Sequence, residues 1–219
     1  MIPPIGAVIF DLDGVLIDSE AVWERVRRTF VARYGGTYHA EATRAIMGMS
    51  APEWAHYIRT RLGVDLPETR INAEVAGGVA AAFEADLPLV PGAVAAVRRI
   101  AARVPVAIAS SSNRSLIDLV VARSGLAGTF AAVVSSEEVA RGKPAPDVYL
   151  RAAELVGVAP GSCGAVEDST NGIRSAHAAG LFVVAIPNAA FAPEDEALAL
   201  ADVVLGDIER LTPETFGLS

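Results

Sequence analysis

The sequence predicts an α/β fold: a Rossmann-like parallel-sheet core with an α-helical cap domain inserted after its first strand. Three observations carry this expectation. From Gly92 onward, short apolar runs of strand length alternate with helix-length segments, the pattern of a parallel sheet with right-handed crossovers. A further apolar run, Ile5 to Phe10, precedes them and ends abruptly in Asp11-Leu12-Asp13-Gly14. Between the two lies a stretch of about 70 residues with only helical periodicities, far longer than the dozen or so residues a parallel crossover needs. Residues 1–17 and 88–219 are therefore expected to form the core, and 18–87 the cap.

The elements follow in order. Val8, Ile9 and Phe10 suit a strand buried on both faces. In the cap, Val22, Val26, Phe30 and Tyr34 recur every fourth residue and stop at Gly35-Gly36, which predicts a helix. Ser50-Ala51-Pro52-Glu53 is a capping-box start with proline in the first turn. Pro67-Glu68 opens another helix with Ile71, Val75, Val79 and Phe83 along one side, and Gly77-Gly78 are expected to weaken it and allow a bend. Two prolines, Pro88 and Pro91, stiffen the return to the core. Core helices are expected over 93–103, 115–124, 145–156 and 169–179, the last three stopped by Gly125, Gly157 and Gly180. Core strands are expected over 104–109, 131–135, 163–166 and 181–186, with a sixth at 202–205.

Composition bounds the function. With 52% hydrophobic residues a sizeable core can form, and a net charge of −8 argues against nucleic acid or an anionic membrane as partner. A single cysteine, Cys163, excludes an internal disulfide framework and reads as a core thiol. No basic leader and no apolar run of membrane-spanning length is visible, so a soluble cytoplasmic protein is expected. No oligomeric state can be read, and a monomer is compatible with the chain.

Chemistry gathers at strand ends. In an extended segment residues i and i+2 point the same way, so Asp11 and Asp13 can converge on one spot, where two negative charges demand a cation or a shared proton. Taken alone, the pair fits a loop acid pair equally well. Ser110 follows a second apolar run, Lys143 sits in Gly142-Lys143-Pro144, and Glu167-Asp168 follows a fourth run. Singly, each has a plainer reading: Ser110 an N-cap, Lys143 a surface residue, Glu167-Asp168 an acid pair at a helix N-terminus.

Together and in this order, these four sets resemble the motifs of the haloacid dehalogenase superfamily. The stretch Asp11-Leu12-Asp13-Gly14-Val15-Leu16-Ile17-Asp18-Ser19-Glu20 resembles the branch of β-phosphoglucomutase and small sugar phosphatases. The resemblance implies a Mg²⁺-dependent phosphatase acting on a small phosphorylated metabolite, a sugar or polyol phosphate, through an aspartyl-phosphate. It makes Asp11 the nucleophile and Asp13 the general acid and base. It makes Ser110, with Ser111 and Lys143, the holders of the phosphate. Asp11, the Asp13 carbonyl, Glu167 (directly or through water) and Asp168 become the metal's partners. Asp13 also separates this branch from the dehalogenases, which lack that aspartate. Backbone N–H groups at Ser111 and Ser112 would help hold phosphate if a helix begins there, and Asn113 and Arg114 could reach the same pocket. Trp23 either lines the substrate side of the cap or packs a cap helix. Ser169 and Asn171 are expected to shape the turn after Asp168, and Arg25, Arg27 and Arg28 to form a solvated face.

The alternative is a β-phosphoglucomutase-type mutase, which grips a second phosphate with cap basic residues. Where such mutases carry an arginine in the motif matching Gly48-Met49-Ser50-Ala51, this chain has Ala51. Residues 72–85 hold no lysine or arginine either, which leaves Arg59, Arg61 or Arg70 as substitutes and favours water as the acceptor. A phosphorylated receiver module is disfavoured because Ser135-Ser136-Glu137-Glu138 follows the third core strand, with no aspartate.

Overall fold

The structure, a computed structural model, describes residues 2–47, 49–188 and 191–218. Gly48, which opens the motif used to weigh the mutase alternative, lies outside the described residues. Strand β1 spans Ala7–Phe10, two residues shorter than the apolar run. Four helices follow: α1 Glu20–Arg33, α2 Ala42–Ile46, α3 Ala51–Arg61 and α4 Glu68–Ala85. The short α2 carries no sequence signal strong enough to predict it. The chain then alternates through α5 Ala93–Ala101, β2 Val106–Ser110, α6 Arg114–Arg123, β3 Phe130–Ser135, α7 Asp147–Val156, β4 Cys163–Glu167, α8 Thr170–Ala178, β5 Phe182–Ala185, α9 Asp195–Leu198 and β6 Val203–Val204.

All strand pairs are parallel, in the order β3-β2-β1-β4-β5-β6. β1 and β4 are neighbours, with Phe10 opposite Val166, and the winding direction reverses between them. Such a switch point leaves a crevice beyond the carboxyl ends of the strands, where doubly wound sheets bind ligands. Alternate residues of each strand feed two cores. Val8, Phe10, Val106 and Ile108 join one, while Ala7, Ile9, Ala107 and Ala109 join an alanine-rich second core that also holds Cys163 and Tyr149. Both faces are covered, which is why the strands read as unbroken apolar runs.

The helical segment leaves and rejoins the sheet at one place. Ile17 pairs antiparallel with Leu89, and the Asp18 N–H donates to Pro88 O at 2.8 Å. The capping box expected at Ser50 forms, with Glu53 Oε2 accepting from Ser50 N at 2.8 Å. α4 runs unbroken through Gly77 and Gly78; a Cβ on Gly78 would lie 2.8 Å from Val26 Cγ1, so that glycine lets α1 and α4 approach closely. In α1 the buried set is Trp23, Arg27, Phe30 and Val31, rather than the Val22-Val26-Phe30-Tyr34 stripe. The half-buried Val22, Val26 and Tyr34 still join the core, but α1 has a second buried face turned toward the crevice.

Candidate active site

Asp11 directly follows β1, and its N–H donates to Val166 O of β4 at 3.0 Å, so it sits beside Glu167 at the switch point. Gly14 turns the chain away with φ +84°; a Cβ there would lie 1.9 Å from Asp168 Oδ2. The glycine thus supplies a left-handed turn and the space for Asp168 to close on β1. Lys143 comes from the loop before α7 and is 3% exposed. Its ammonium donates to Asp11 Oδ1 at 2.7 Å, Glu167 Oε1 at 2.6 Å and Ala109 O at 3.0 Å. Tyr149 of α7 donates to the same Glu167 oxygen at 2.8 Å. The other Glu167 oxygen accepts from the N–H groups of Asp168 and Ser169 and from the Ser169 hydroxyl. Ser169 caps α8 as expected, accepting from Gly172 N, and Asn171 instead reaches Met47 O at 3.4 Å.

The crevice is overcharged. Asp11, Asp13, Glu167 and Asp168 face a single ammonium. Burial, reinforced by Glu167 and Asp13 against the pull of Lys143, pushes Asp11 up to about 8. Burial, with Glu167 and Asp11, holds Asp168 well above the usual carboxylate range. Burial alone would lower Lys143, but Asp11 and Glu167 outweigh it and hold it up. Oxygens of Asp11, Glu167 and Asp168 lie within 4.8 Å of one another, and Asp168 Oδ1 is buried without a hydrogen-bond partner. A buried acceptor left unpaired among like charges is what a cation site requires, and an all-oxygen donor set suits Mg²⁺. Both Glu167 oxygens already accept protein donors, five in all. Asp168 Oδ1, by contrast, accepts none.

Asp13 stands across the crevice, outside that cluster of three acids. Its Oδ2 accepts from Ser112 Oγ at 2.6 Å and more weakly from Ser110 Oγ at 3.5 Å. Its Oδ1 accepts from Ser19 Oγ and, at 3.2 Å, from Trp23 Nε1. Trp23 therefore both packs the cap and lines the site. Ser110 is buried at the end of β2 and accepts from Ser112 N at 3.0 Å. It is not an N-cap: α6 starts at Arg114, with Asn113 in that position, so the N–H groups of Ser111 and Ser112 precede the helix. Ser111 and Ser112 line the pocket. Asn113 and Arg114 do not: Asn113 bridges Asn72 of α4 and Glu137, while Arg114 pairs with Asp118 and Glu138.

The cavity over these groups measures about 70 Å³ and is roofed by α1 and α3. Arg27 lines it and is 5% exposed, which overturns its expected place on a solvated face. Arg25 and Arg28 behave as expected, Arg28 pairing with Glu24 at the surface. Glu20 lines the pocket beside Arg27, and burial, only partly offset by Arg27, pushes its carboxyl up to about 7. Sequence reasoning missed both residues. The available signal was spacing: Glu20, Trp23 and Arg27 fall at i, i+3 and i+7 and share a helix face. Arg59, Arg61 and Arg70, the substitutes considered for a mutase, lie outside the pocket lining. His39, His56 and His177 lie outside it as well.

The family model for haloacid dehalogenase-like hydrolases matches residues 5–180. The chain belongs to this family. Asp11, Lys143 and Glu167-Asp168, which the sequence offered in three distant motifs, lie together in the structure, and the chain's class is phosphoric monoester hydrolase. It is 32% identical over 214 residues to hexitol phosphatase B of Escherichia coli (strain K12), covering 95% of each chain. It is 30% identical over 215 residues to a bifunctional riboflavin kinase/FMN phosphatase of Arabidopsis thaliana, and spans 56% of that longer protein. Among solved structures, CbbY from Rhodobacter sphaeroides in complex with phosphate superposes with a TM-score of 0.83 at 28% identity, covering 94% of this chain and 96% of that one. Among the described residues no helix is long and apolar enough to cross a membrane.

Proposed function

We propose that this chain is a Mg²⁺-dependent phosphatase of a small phosphomonoester, a sugar or polyol phosphate, working through an aspartyl-phosphate on Asp11. The observation that carries the reading is the meeting of Asp11, fixed by Lys143, with the partnerless buried oxygen of Asp168. When bound by Asp11 and Asp168, Mg²⁺ supplies the positive charge that an anionic nucleophile needs near a phosphate dianion. The chain's own residues do the rest. Asp11 attacks phosphorus and the ester P–O bond breaks, while Asp13 protonates the departing alcohol. Asp13 then takes a proton from the water that cleaves the aspartyl-phosphate, which frees phosphate and restores Asp11. Lys143 orients Asp11 and offsets charge on the phosphoryl oxygens, which Ser110 and Ser111 help to hold. Glu167 braces Lys143 from behind.

In this reading residues 18–87 act as a cap domain over a core of 1–17 and 88–219, excluding bulk water and choosing the leaving group. The partner is a small phosphorylated metabolite in the cytoplasm, not nucleic acid or membrane. The hexitol phosphatase named above supports the substrate class. The mutase alternative needs a cap cation free for a second phosphate. Among the described residues Arg27 is the one cap lysine or arginine in the pocket lining, and Glu20 stands 3.7 Å from it.

Turnover of p-nitrophenyl phosphate and of sorbitol 6-phosphate, with Mg²⁺ and with EDTA, tests the proposal. Both substrates should need Mg²⁺, and Asp11→Asn should remove at least a thousandfold of kcat. Phosphate release at the wild-type rate by that variant would exclude Asp11 as nucleophile.

A further inference from the structure

The mechanism leaves one buried charged pair in the pocket without a task. Glu20, Trp23 and Arg27 share the face of α1 that roofs the crevice. The Arg27 guanidinium lies over the Trp23 ring, 4.6 Å from its centroid, and 5.7 Å from that of Trp54. The two indoles meet edge to face at 6.0 Å. Arg27 Nη1 is 3.7 Å from Glu20 Oε1, beyond hydrogen-bond reach. Neither of those atoms, nor Arg27 Nε, has a hydrogen-bond partner, and all three are buried. Buried polar groups are almost always satisfied, so three orphans on two residues that line one cavity point to a group that bridges the pair from the pocket side.

We propose that Glu20 and Arg27 form the leaving-group subsite, and that it selects an uncharged polyhydroxylated leaving group over one bearing a second phosphate. This deepens the phosphatase reading and rests on it. A hydroxyl both donates and accepts through a single oxygen, so it can share its proton with Glu20 Oε1 while accepting from Arg27 Nη1. At a pH above about 7, where the Glu20 carboxyl is ionised, a second phosphate would gain from Arg27 and lose to Glu20. Trp23 and Trp54 add apolar wall to the same pocket lining, against which the C–H side of a polyol can pack. Trp23 Nε1 also donates to Asp13, so the subsite lies one indole away from the group assigned to protonate the leaving oxygen.

Two measurements test this. In the first, kcat/KM for sorbitol 6-phosphate is divided by that for p-nitrophenyl phosphate, whose leaving group has no such hydroxyls. In Arg27→Met and Glu20→Gln that ratio should fall at least tenfold, chiefly through KM for the polyol phosphate. Glu20→Gln should also raise the preference for glucose 1,6-bisphosphate over glucose 6-phosphate, because it removes a negative charge without shortening the side chain. In the second, tryptophan emission is followed during titration of the Asp11→Asn protein. Trp23 and Trp54 are the only tryptophans of the chain. Sorbitol 6-phosphate should perturb them with an apparent Kd at least tenfold below that of inorganic phosphate, and adding Arg27→Met should erase the difference. Thermal melts separate unfolding from loss of the subsite, and the isosteric Glu20→Gln stands in if Arg27→Met does not fold. Phosphate release with unchanged ratios would leave the phosphatase standing and reduce the pair to a structural contact. No release from any monoester, with the fluorescence difference intact, would remove the phosphatase reading and keep the subsite. A wild type that prefers the bisphosphate would overturn the selectivity.

Discussion

Replacing Asp168 with asparagine should stabilise the metal-free protein while abolishing its response to Mg²⁺. The magnitude follows from the three acids whose oxygens lie within 4.8 Å of one another. At an effective dielectric constant near 20, each like-charge pair at that separation costs about 3.5 kcal/mol. Asp168 faces the charge of Glu167 and only part of one on Asp11, which is itself pushed up to about 8, and Lys143 offsets about that part. Proton uptake caps the burden, since holding a carboxyl protonated at pH 7.5 costs at most about 5 kcal/mol relative to the unfolded chain. A gain of about 3 kcal/mol in EDTA is therefore expected, which for a chain of this size raises Tm by roughly 6–12 °C. Mg²⁺ should raise the wild-type Tm and leave that of Asp168→Asn unchanged, and turnover by the variant should be lost. Melts followed by circular dichroism in EDTA and in Mg²⁺ give both numbers. An EDTA melt of Asp168→Asn at or below wild type would refute the claim that this oxygen sits in uncompensated negative potential.

Two further outcomes follow from the same charge cluster. Asp11 is pushed up to about 8 in the folded chain, from an ordinary 3.8, so the folded state holds a proton there that the unfolded state has released. Stability in EDTA should thus be fully present below pH 4 as far as this group goes, and be lost as pH rises to about 8, by up to about 1.4 kcal/mol per pH unit; urea titrations at several pH values read the slope, and a rise across that window would contradict it. Gly172→Ala places a Cβ 1.9 Å from the Glu167 carboxyl, which is fully buried and held by five donors, so a loss of about 3 kcal/mol is expected together with a fall in turnover. A wild-type urea midpoint for Gly172→Ala would show that Glu167 is free to move and does not brace Lys143.

Much of this architecture could be read from the chain because the sheet is buried on both faces and its ligands sit at strand ends. An unbroken apolar run followed by Asp11, Ser110 or Glu167 states both facts at once. The capping box at Ser50 and the start of α4 after Pro67 were legible for an equally local reason, since termini leave backbone groups that particular side chains satisfy. The misses share a different cause. Arg27 reads as solvent-facing because a guanidinium is costly to bury, and its burial is made tolerable by Trp23 and Glu20 of α1 itself together with Trp54 of α3. Ser112 was offered only for its N–H, yet its hydroxyl lies closer to Asp13 than that of Ser110. Which member of a serine triplet faces the crevice depends on where β2 ends and α6 begins, and α6 begins after the triplet. The mutual neutralisation of Lys143, Asp11 and Glu167 was likewise out of reach, since it depends on the register that sets β1 against β4.

The partners of Asp13 join these two levels. Its carboxylate is held by four donors, and they divide evenly: Ser19 and Trp23 come from the cap side on Oδ1, Ser110 and Ser112 from the sheet edge on Oδ2. The strand ends fix their pair rigidly, because Ser110 ends β2 and Ser112 is tied to β3 through its carbonyl, which accepts from Ser135 Oγ at 2.7 Å. The cap pair has no such anchor in the sheet. Any swing of α1 away from the crevice strips Asp13 of half its hydrogen bonds while leaving Asp11, Lys143 and Glu167 untouched. Asp13 is therefore a member of the proposed machinery whose hydrogen bonds reach the cap, and Trp23 couples that dependence to Arg27, which stacks on it. A leaving group that bridges Glu20 and Arg27 would hold α1 down and, through the same indole, hold Asp13 in the place the proposed function needs. Selection of the substrate and readiness of the acid would then be one event, built from a single helix face.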